Sequence, residues 1–139
     1  MDFILVTEQY FTELDALHSA YKLEIGEDEP TISDLVKLHN AIMHADILFY
    51  GCVIECQLVA ICSVSKVFST FNYSISGVFE DFYIAPQFRH KGIARKLVKY
   101  AYENSGVSSM TVGCADCDKE MYNALGFNIP LGNMLAYGD

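Results

Sequence analysis

One stretch of the chain gathers residue types suited to phosphate and proton chemistry. Glu80-Asp81-Phe82-Tyr83-Ile84-Ala85-Pro86 leads into Gln87-Phe88-Arg89-His90-Lys91-Gly92-Ile93-Ala94-Arg95. A β-rich run halted by proline, then a polar loop, then a helix opening on glycine is the pattern this order predicts. The first turn of a helix leaves backbone N–H groups unpaired and carries a partial positive charge, so it forms an anion site well suited to phosphate. Gly92 and Ala94 are small, which lets a diphosphate approach the backbone closely. Arg89, Lys91, Arg95, Lys96 and Lys99 are five of the nine Lys and Arg residues, packed into eleven positions. A polyphosphate ligand accounts for that cluster, and a solvated basic helix face is its plain alternative. Neither G-x-x-x-x-G-K-[ST] nor G-x-G-x-x-G occurs, so the usual nucleoside triphosphate and dinucleotide readings lose their main support.

The rest of the composition narrows the setting. Eighteen acidic against nine basic residues give a net charge of −9, a poor balance for nucleic acid or an anionic membrane. Hydrophobic residues are 52% of the 139, enough for a buried core and too many for general disorder. No apolar run approaches the roughly 20 residues that span a bilayer. Met1-Asp2-Phe3 shows no basic region leading into an apolar one, and the five cysteines are an odd number. Reduced thiols in a cytoplasmic setting are therefore expected. Without a repeat, linker or low-complexity tract, residues 1–139 read as a single domain.

The elements needed to carry the loop follow from periodicity. Phe3 to Val6 predicts a strand. Tyr10, Leu14, Leu17 and Tyr21 predict a helix, with Thr7 placed to cap it and Gly26 to end it. Thr31 and Asp34 resemble a capping box, ahead of a helical stripe of Leu35, Leu38 and Ile42. Ile47–Ile54 and Leu58–Val64, separated by Glu55-Cys56-Gln57, predict an antiparallel hairpin. Phe71 to Ser76 reads as turn. Gly77 to Ala85 predicts a strand and Gly92 to Asn104 a helix, with Ile93, Leu97, Tyr100 and Ala101 on one face and Gly106 as its stop. Met110–Cys114 reads as a strand, Asp118–Leu125 as a short helix closed by Gly126, and Phe127–Tyr137 as a last strand or two. The order β-α-α-β-β-β-α-β-α-β makes an α+β, or mixed α/β, domain on a largely antiparallel sheet.

Arg89-His90-Lys91-Gly92-Ile93-Ala94 matches the R/Q-x-x-G-x-G/A signature of the GNAT superfamily of acetyl-coenzyme A-dependent N-acetyltransferases. Ile84-Ala85-Pro86 resembles the V-x-P ahead of that signature, and Tyr122-Asn123-Ala124-Leu125-Gly126-Phe127 resembles the family's Y-x-x-L-G-F. The element order is similar too, so the resemblance covers essentially the whole chain. It implies the GNAT-like fold, a mostly antiparallel splayed sheet flanked by helices, and acetyl-CoA as cosubstrate. It implies that backbone amides from Arg89 through His90, Lys91, Gly92 and Ile93 to Ala94 hold the pyrophosphate. Phe82 and Ile84 would offer backbone groups to the pantetheine arm, which lies between two splayed strands like a missing one. Glu80-Asp81-Phe82-Tyr83-Ile84 further resembles a strand of small-amine and polyamine acetyltransferases. An asparagine that many relatives carry about seven residues before the motif tyrosine is Ala115 here, followed by Asp116, which puts one cofactor contact in doubt.

Acetyl transfer to an amine needs two proton events. An amine with a pKa near that of lysine, about 10.4, is mostly protonated and must lose its proton before it attacks. Two-residue periodicity places Glu80 on the face of Phe82 and Ile84, with Asp81 opposite, so Glu80 is the candidate base, acting through water. An ordinary surface carboxylate is its alternative reading. The departing thiolate, pKa about 8.5, must be protonated, and a phenol near 10 is a competent donor. The resemblance gives that role to Tyr122, whose alternative is plain helix packing.

The family lines its acceptor site with the loop between the first two helices and with the hairpin strands. Glu24, Glu27, Asp28 and Glu29 lie in that loop and could attract a cationic amine, or could simply be solvated. Phe71, Tyr73 and Phe79 are candidates to shape the pocket. Cys114-Ala115-Asp116-Cys117 and the Cys52/Cys56 pair do not supply the four suitably placed ligands of a zinc site, so no metal is expected. His18, His39 and His44 have no partner motif, and His90 meets either phosphate or solvent. No nucleophile motif is present, which favours direct transfer over an acyl-enzyme. The acceptor expected is a small-molecule amine. Transfer to a protein N-terminus or lysine is one alternative, and a non-catalytic acyl-CoA-binding module is another. Dimers are common in the family, so a homodimer is a possible assembly, although nothing in the sequence specifies an interface.

Overall fold

The computed structural model describes residues 1–138. Strand β1 (Asp2–Leu5) is followed by a 3₁₀ turn at Glu8–Tyr10 and helix α1 (Phe11–Glu24). Thr7 is extended (φ −115°, ψ 176°), and its side chain caps nothing. Instead its carbonyl accepts from Tyr10 N at 2.9 Å, so the predicted cap gives way to a tighter turn. Helix α2 (Ile32–Met43) begins on the predicted capping box: Thr31 Oγ1 accepts from Asp34 N, and Asp34 Oδ2 accepts from Thr31 N. The N–H of the Thr31 backbone, and after it the Thr31 side chain, hold the Asp34 carboxyl below its ordinary pKa.

Strands β2 (Leu48–Ile54) and β3 (Gln57–Ser69) are joined by the two-residue turn Glu55-Cys56, both left-handed (φ 50° and 63°). Two positive φ values match the twist of a tight hairpin, although glycine or asparagine is the usual occupant. Strand β4 (Ser74–Ile84) begins three residues earlier than predicted. Ser74, Ile75 and Ser76 pair with Ser69, Phe68 and Val67 of an extended β3, so tertiary pairing overrides the local turn preference of a serine-rich stretch.

Helix α3 (Ile93–Asn104) buries Ile93, Leu97, Val98 and Ala101, while Tyr100 packs more loosely beside Phe3 and Tyr50. Strand β5 (Ser109–Val112), a 3₁₀ turn at Asp116–Asp118 and the short helix α4 (Lys119–Ala124) follow. No strand forms over 127–137. Pro130 lacks an N–H, Gly132 is left-handed (φ 94°), and Ile129, Leu131, Met134, Leu135 and Tyr137 are exposed.

The sheet order is β1-β2-β3-β4-β5, antiparallel except for the parallel β4–β5 pair. One face buries Phe49, Val53, Ile61 and Tyr83 under α1, with Leu38 and Ile42 of α2 at the margin. The other buries Tyr50, Cys52, Cys62 and Phe79 under α3, with Phe82, Ile84, Tyr122, Leu125 and Phe127 packed around them. This is the α+β arrangement expected, shorter by its last strand.

Candidate active site

The parallel pairing of β4 with β5 covers only Ser76–Phe79 against Ser109–Val112. Beyond Phe79, β4 runs on for five residues that β5 does not follow, so the two strands part and leave a cleft. Ala85 N donates to Val59 O at 2.9 Å, which fixes Tyr83 and Ala85 as the residues bonded to β3. Alternation then turns the backbone groups of Phe82 and Ile84 toward the open side. The Ile84 carbonyl is already engaged, accepting from Arg89 Nε at 2.8 Å, which leaves its N–H for a ligand.

A bulge sits at the vertex of the cleft. Between the pairs Ile61↔Tyr83 and Ser63↔Glu80, β4 has one residue more than β3. Asp81 is left-handed there, with φ 54°. The bulge breaks the two-residue period on which the placement of Glu80 depended. Phe79, Phe82 and Ile84 all pack on the α3 side, and Phe79 and Phe82 have ring centroids 5.4 Å apart. Glu80 therefore does not share the face of Phe82 and Ile84. It is exposed beside the bulge, while Asp81 faces α1.

The loop after β4 has the geometry of an anion cradle. Pro86–Phe88 form a 3₁₀ turn in which Arg89 N donates to Pro86 O at 3.3 Å, so that amide is partly spent. His90 (φ 63°) and Gly92 (φ 81°) are left-handed, a backbone alternation that turns successive amides to one side. No acceptor among the described residues takes the N–H of His90, Lys91 or Gly92. The first amides of α3, from Ile93 and Ala94, lack helical partners by construction. Gly92 caps the helix without a side chain, and a Cβ there would touch nothing, so the loop leaves room for a bulky anion.

The basic residues divide their work. Arg89 Nη2 donates to Glu24 Oε1 at 2.9 Å, and the guanidinium lies 5.3 Å from the Tyr83 ring, tying the loop to the end of α1. Arg95 Nη2 donates to Ala124 O at 2.6 Å, capping α4. Lys99 stands 3.8 Å from Glu103. Lys91 leans over the Phe88 ring at 5.7 Å, and neither it nor Lys96 has a carboxylate partner among the described residues. Two free lysines flank the cradle, fewer than the five the sequence suggests.

Across the cleft, α4 brings Tyr122 against Phe82 (centroids 6.3 Å) and Phe127 (5.8 Å). Burial, then the proximity of Tyr21, Asp118, Cys114 and Cys62, pushes the Tyr122 hydroxyl up to about 12. It is fully protonated at neutral pH, the state a proton donor needs. Tyr21 of α1 is influenced by the same region, its pKa raised by burial first and then by Asp81, Glu27, Glu80 and Asp118. Of the pocket-shaping aromatics, Phe79 is fully buried in the core and lines nothing, whereas Phe71 and Tyr73 stand exposed at the β3–β4 turn.

In the acidic loop, Glu24 is taken by Arg89 and Glu27 by Lys22 at 3.1 Å, while Asp28 and Glu29 are exposed. Cys52 and Cys62 are buried and Cys56, Cys114 and Cys117 exposed, all free, and no metal-binding cluster occurs among the described residues. Periodicity overlooks His18, Asp81 and Ser63, which meet on the α1 side of the vertex. His18 and Asp81 lie far apart in the chain, and no local pattern links them.

Residues 45–129, more than half of the chain, match the family described as the acetyltransferase (GNAT) domain. No curated protein sequence matches. Among solved structures, a probable acetyltransferase superposes with a TM-score of 0.87 at 18% identity, covering 100% of this chain and 99% of the other. Glucosamine-6-phosphate N-acetyltransferase from Arabidopsis thaliana superposes at 0.74 with 17% identity, covering 100% of each chain. AAC(6')-Iy in complex with the bisubstrate analogue CoA-S-monomethyl-acetylneamine superposes at 0.80 with 15% identity, covering 99% of this chain and 97% of the other. At such identities the superpositions speak for the fold, and the matched domain speaks for descent: the chain belongs to the GNAT acetyltransferase family.

Proposed function

We propose that the chain transfers an acetyl group from acetyl-CoA directly to a primary amine of a small molecule. The observation that carries this reading is the run of β4 beyond Phe79, open on its β5 side, leading into a loop of unpaired amides at the start of α3. The open N–H groups of Phe82 and Ile84 donate to an extended amide-bearing arm that takes the place of a missing strand. His90, Lys91, Gly92, Ile93 and Ala94 hold a diphosphate by their backbone, with Lys91 adding charge. A structural neighbour in complex with a bisubstrate analogue that contains CoA is consistent with acetyl-CoA as the cosubstrate.

Tyr122 donates a proton to the departing thiolate. Its pKa of about 12 lies above that of a thiol in water, but burial raises a thiol for the same reason, as it raises Cys62 in this protein. Glu80, exposed at the vertex, is the carboxylate through which the amine's proton reaches water. The exposed Asp28 and Glu29, with Glu27 near them, favour a cationic acceptor.

A thiol-release screen over polyamines, amino acids, aminoglycosides and peptides tests the reading. Turnover with a small amine is the expected result, and preference for peptides would move the acceptor to protein. Calorimetry showing no uptake of acetyl-CoA by the folded protein would end the proposal.

A further inference from the structure

Ser63 of β3, Asp81 of β4 and His18 of α1 form a chain in which Ser63 and His18 are buried and Asp81 is half-buried. Ser63 Oγ donates to Asp81 Oδ2 at 2.7 Å, and Asp81 Oδ1 faces His18 Nδ1 at 3.9 Å. His18 is only 8% exposed, and its Nδ1 has no hydrogen-bond partner among the described residues. A buried polar atom left unsatisfied costs about 1–3 kcal/mol. Asp81 adds a left-handed backbone, a second cost at the same point. The ring also lines a cavity of about 360 Å³ bounded by Lys22, Glu27, Asp28, Pro30 and Asp34. His18 thus lies between a carboxylate at the cleft vertex and a chamber edged by acids that attract a cation.

We infer that His18, oriented by Asp81, takes the proton of the attacking amine. The inference rests on the acetyl-transfer reading above and assigns a residue to its first proton step. The ammonium N–H bond breaks, its electron pair stays on nitrogen, and the proton adds to the imidazole. The resulting cation is stabilised by Asp81, and the proton then leaves to water on the side where Glu80 stands. Asp81 is a positioning residue, its carboxylate fixed by Ser63. The charges facing the ring are Asp81 from β4, Lys22 and Asp15 from α1, and Glu27 from the loop, with Phe49 of β2 edge-on to it. Burial is the largest influence and lowers the pKa of His18. Asp81 raises it, Lys22 lowers it, and Asp15 and Glu27 raise it. The net lowering leaves the ring neutral at pH 7, ready to accept a proton.

The test is the pH profile of kcat at saturating acetyl-CoA, with the best amine from the thiol-release screen. The wild type is expected to lose rate on an acid limb below about pH 6.5, the ordinary histidine value. His18→Asn is expected to lower kcat about 100-fold, a typical loss for an acid–base group, and to erase the limb, with acetyl-CoA affinity kept. Asp81→Asn removes the charge that raises the imidazole and moves the limb to lower pH. Lys22→Gln moves it to higher pH, and these two opposite shifts carry the test if His18→Asn fails to fold. Glu80→Gln lowers kcat less than about tenfold and keeps the limb. A His18→Asn enzyme that keeps the wild-type limb, or a limb unmoved in both Asp81→Asn and Lys22→Gln, overturns the inference and leaves acetyl transfer standing. A wild type that takes up no acetyl-CoA overturns both.

Discussion

Tyr122 and His18 are shaped by the same force in opposite directions. Burial disfavours charge, so it lifts the phenol to about 12 and lowers the imidazole. Each is thereby neutral at physiological pH, one holding a proton and the other ready to accept one. Tyr122→Phe is expected to lower turnover roughly 10²–10⁴-fold, the usual range for a lost acid–base group. The ring still packs on Phe82 and Phe127, so calorimetric affinity for acetyl-CoA stays within about twofold. Unchanged turnover would remove Tyr122 from the chemistry. Arg89 has a different value: its ion pair with Glu24 is exposed and worth at most about 1 kcal/mol. Its bond to the Ile84 carbonyl matters more, because it holds the loop against the end of β4.

Two elements set the site. Helix α2 lies at the edge of the core with no residue fully buried, so its capping box carries much of its local order. Thr31→Ala is expected to lower stability by about 1 kcal/mol, read from the urea midpoint. The depressed Asp34 pKa gives the sign of the pH effect. Its contribution is present above the ordinary carboxylate pKa and is lost as pH falls through the lower folded value. The β4–β5 pair depends on Gly77. A Cβ there would meet Val64 Cγ1 at 2.8 Å and Val107 Cγ1 at 3.0 Å. Branched, stiff neighbours give little, so Gly77→Ala is expected to cost about 1–3 kcal/mol by overpacking, measurable in the same denaturation assay. The strain would also push β5 off β4 just where the cleft begins.

At the scale of the molecule, a net charge of −9 surrounds one cationic loop. On the proposed reading, a coenzyme A anion is repelled by most of the surface and attracted at the cradle, where Lys91 and the α3 amides point the field outward. Raising ionic strength from about 0.02 to 0.5 M shortens the screening length from roughly 20 Å to under about 5 Å. Acetyl-CoA binding is expected to weaken several-fold over that range, as read by calorimetry. An unchanged affinity would mean that short-range hydrogen bonds dominate the site. A cationic acceptor responds in the same direction, through KM.

The loop from Arg89 to Ala94, the Tyr122 motif, both capping residues of α2 and the sheet-building runs were legible from residues alone, because each depends on chemistry or periodicity within a few positions. The bulge at Asp81, the partner of His18, the engagement of Glu24 and Arg95, and the unpaired tail after Phe127 were not. The bulge is where a strand that must pair with β3 on one side leaves β5 on the other, and only the register of both neighbours fixes it. Charge pairing and burial between residues distant in the chain come into being when helices dock on the sheet. Local order writes the anion cradle into the sequence, while the packed fold alone decides which acids and bases surround it.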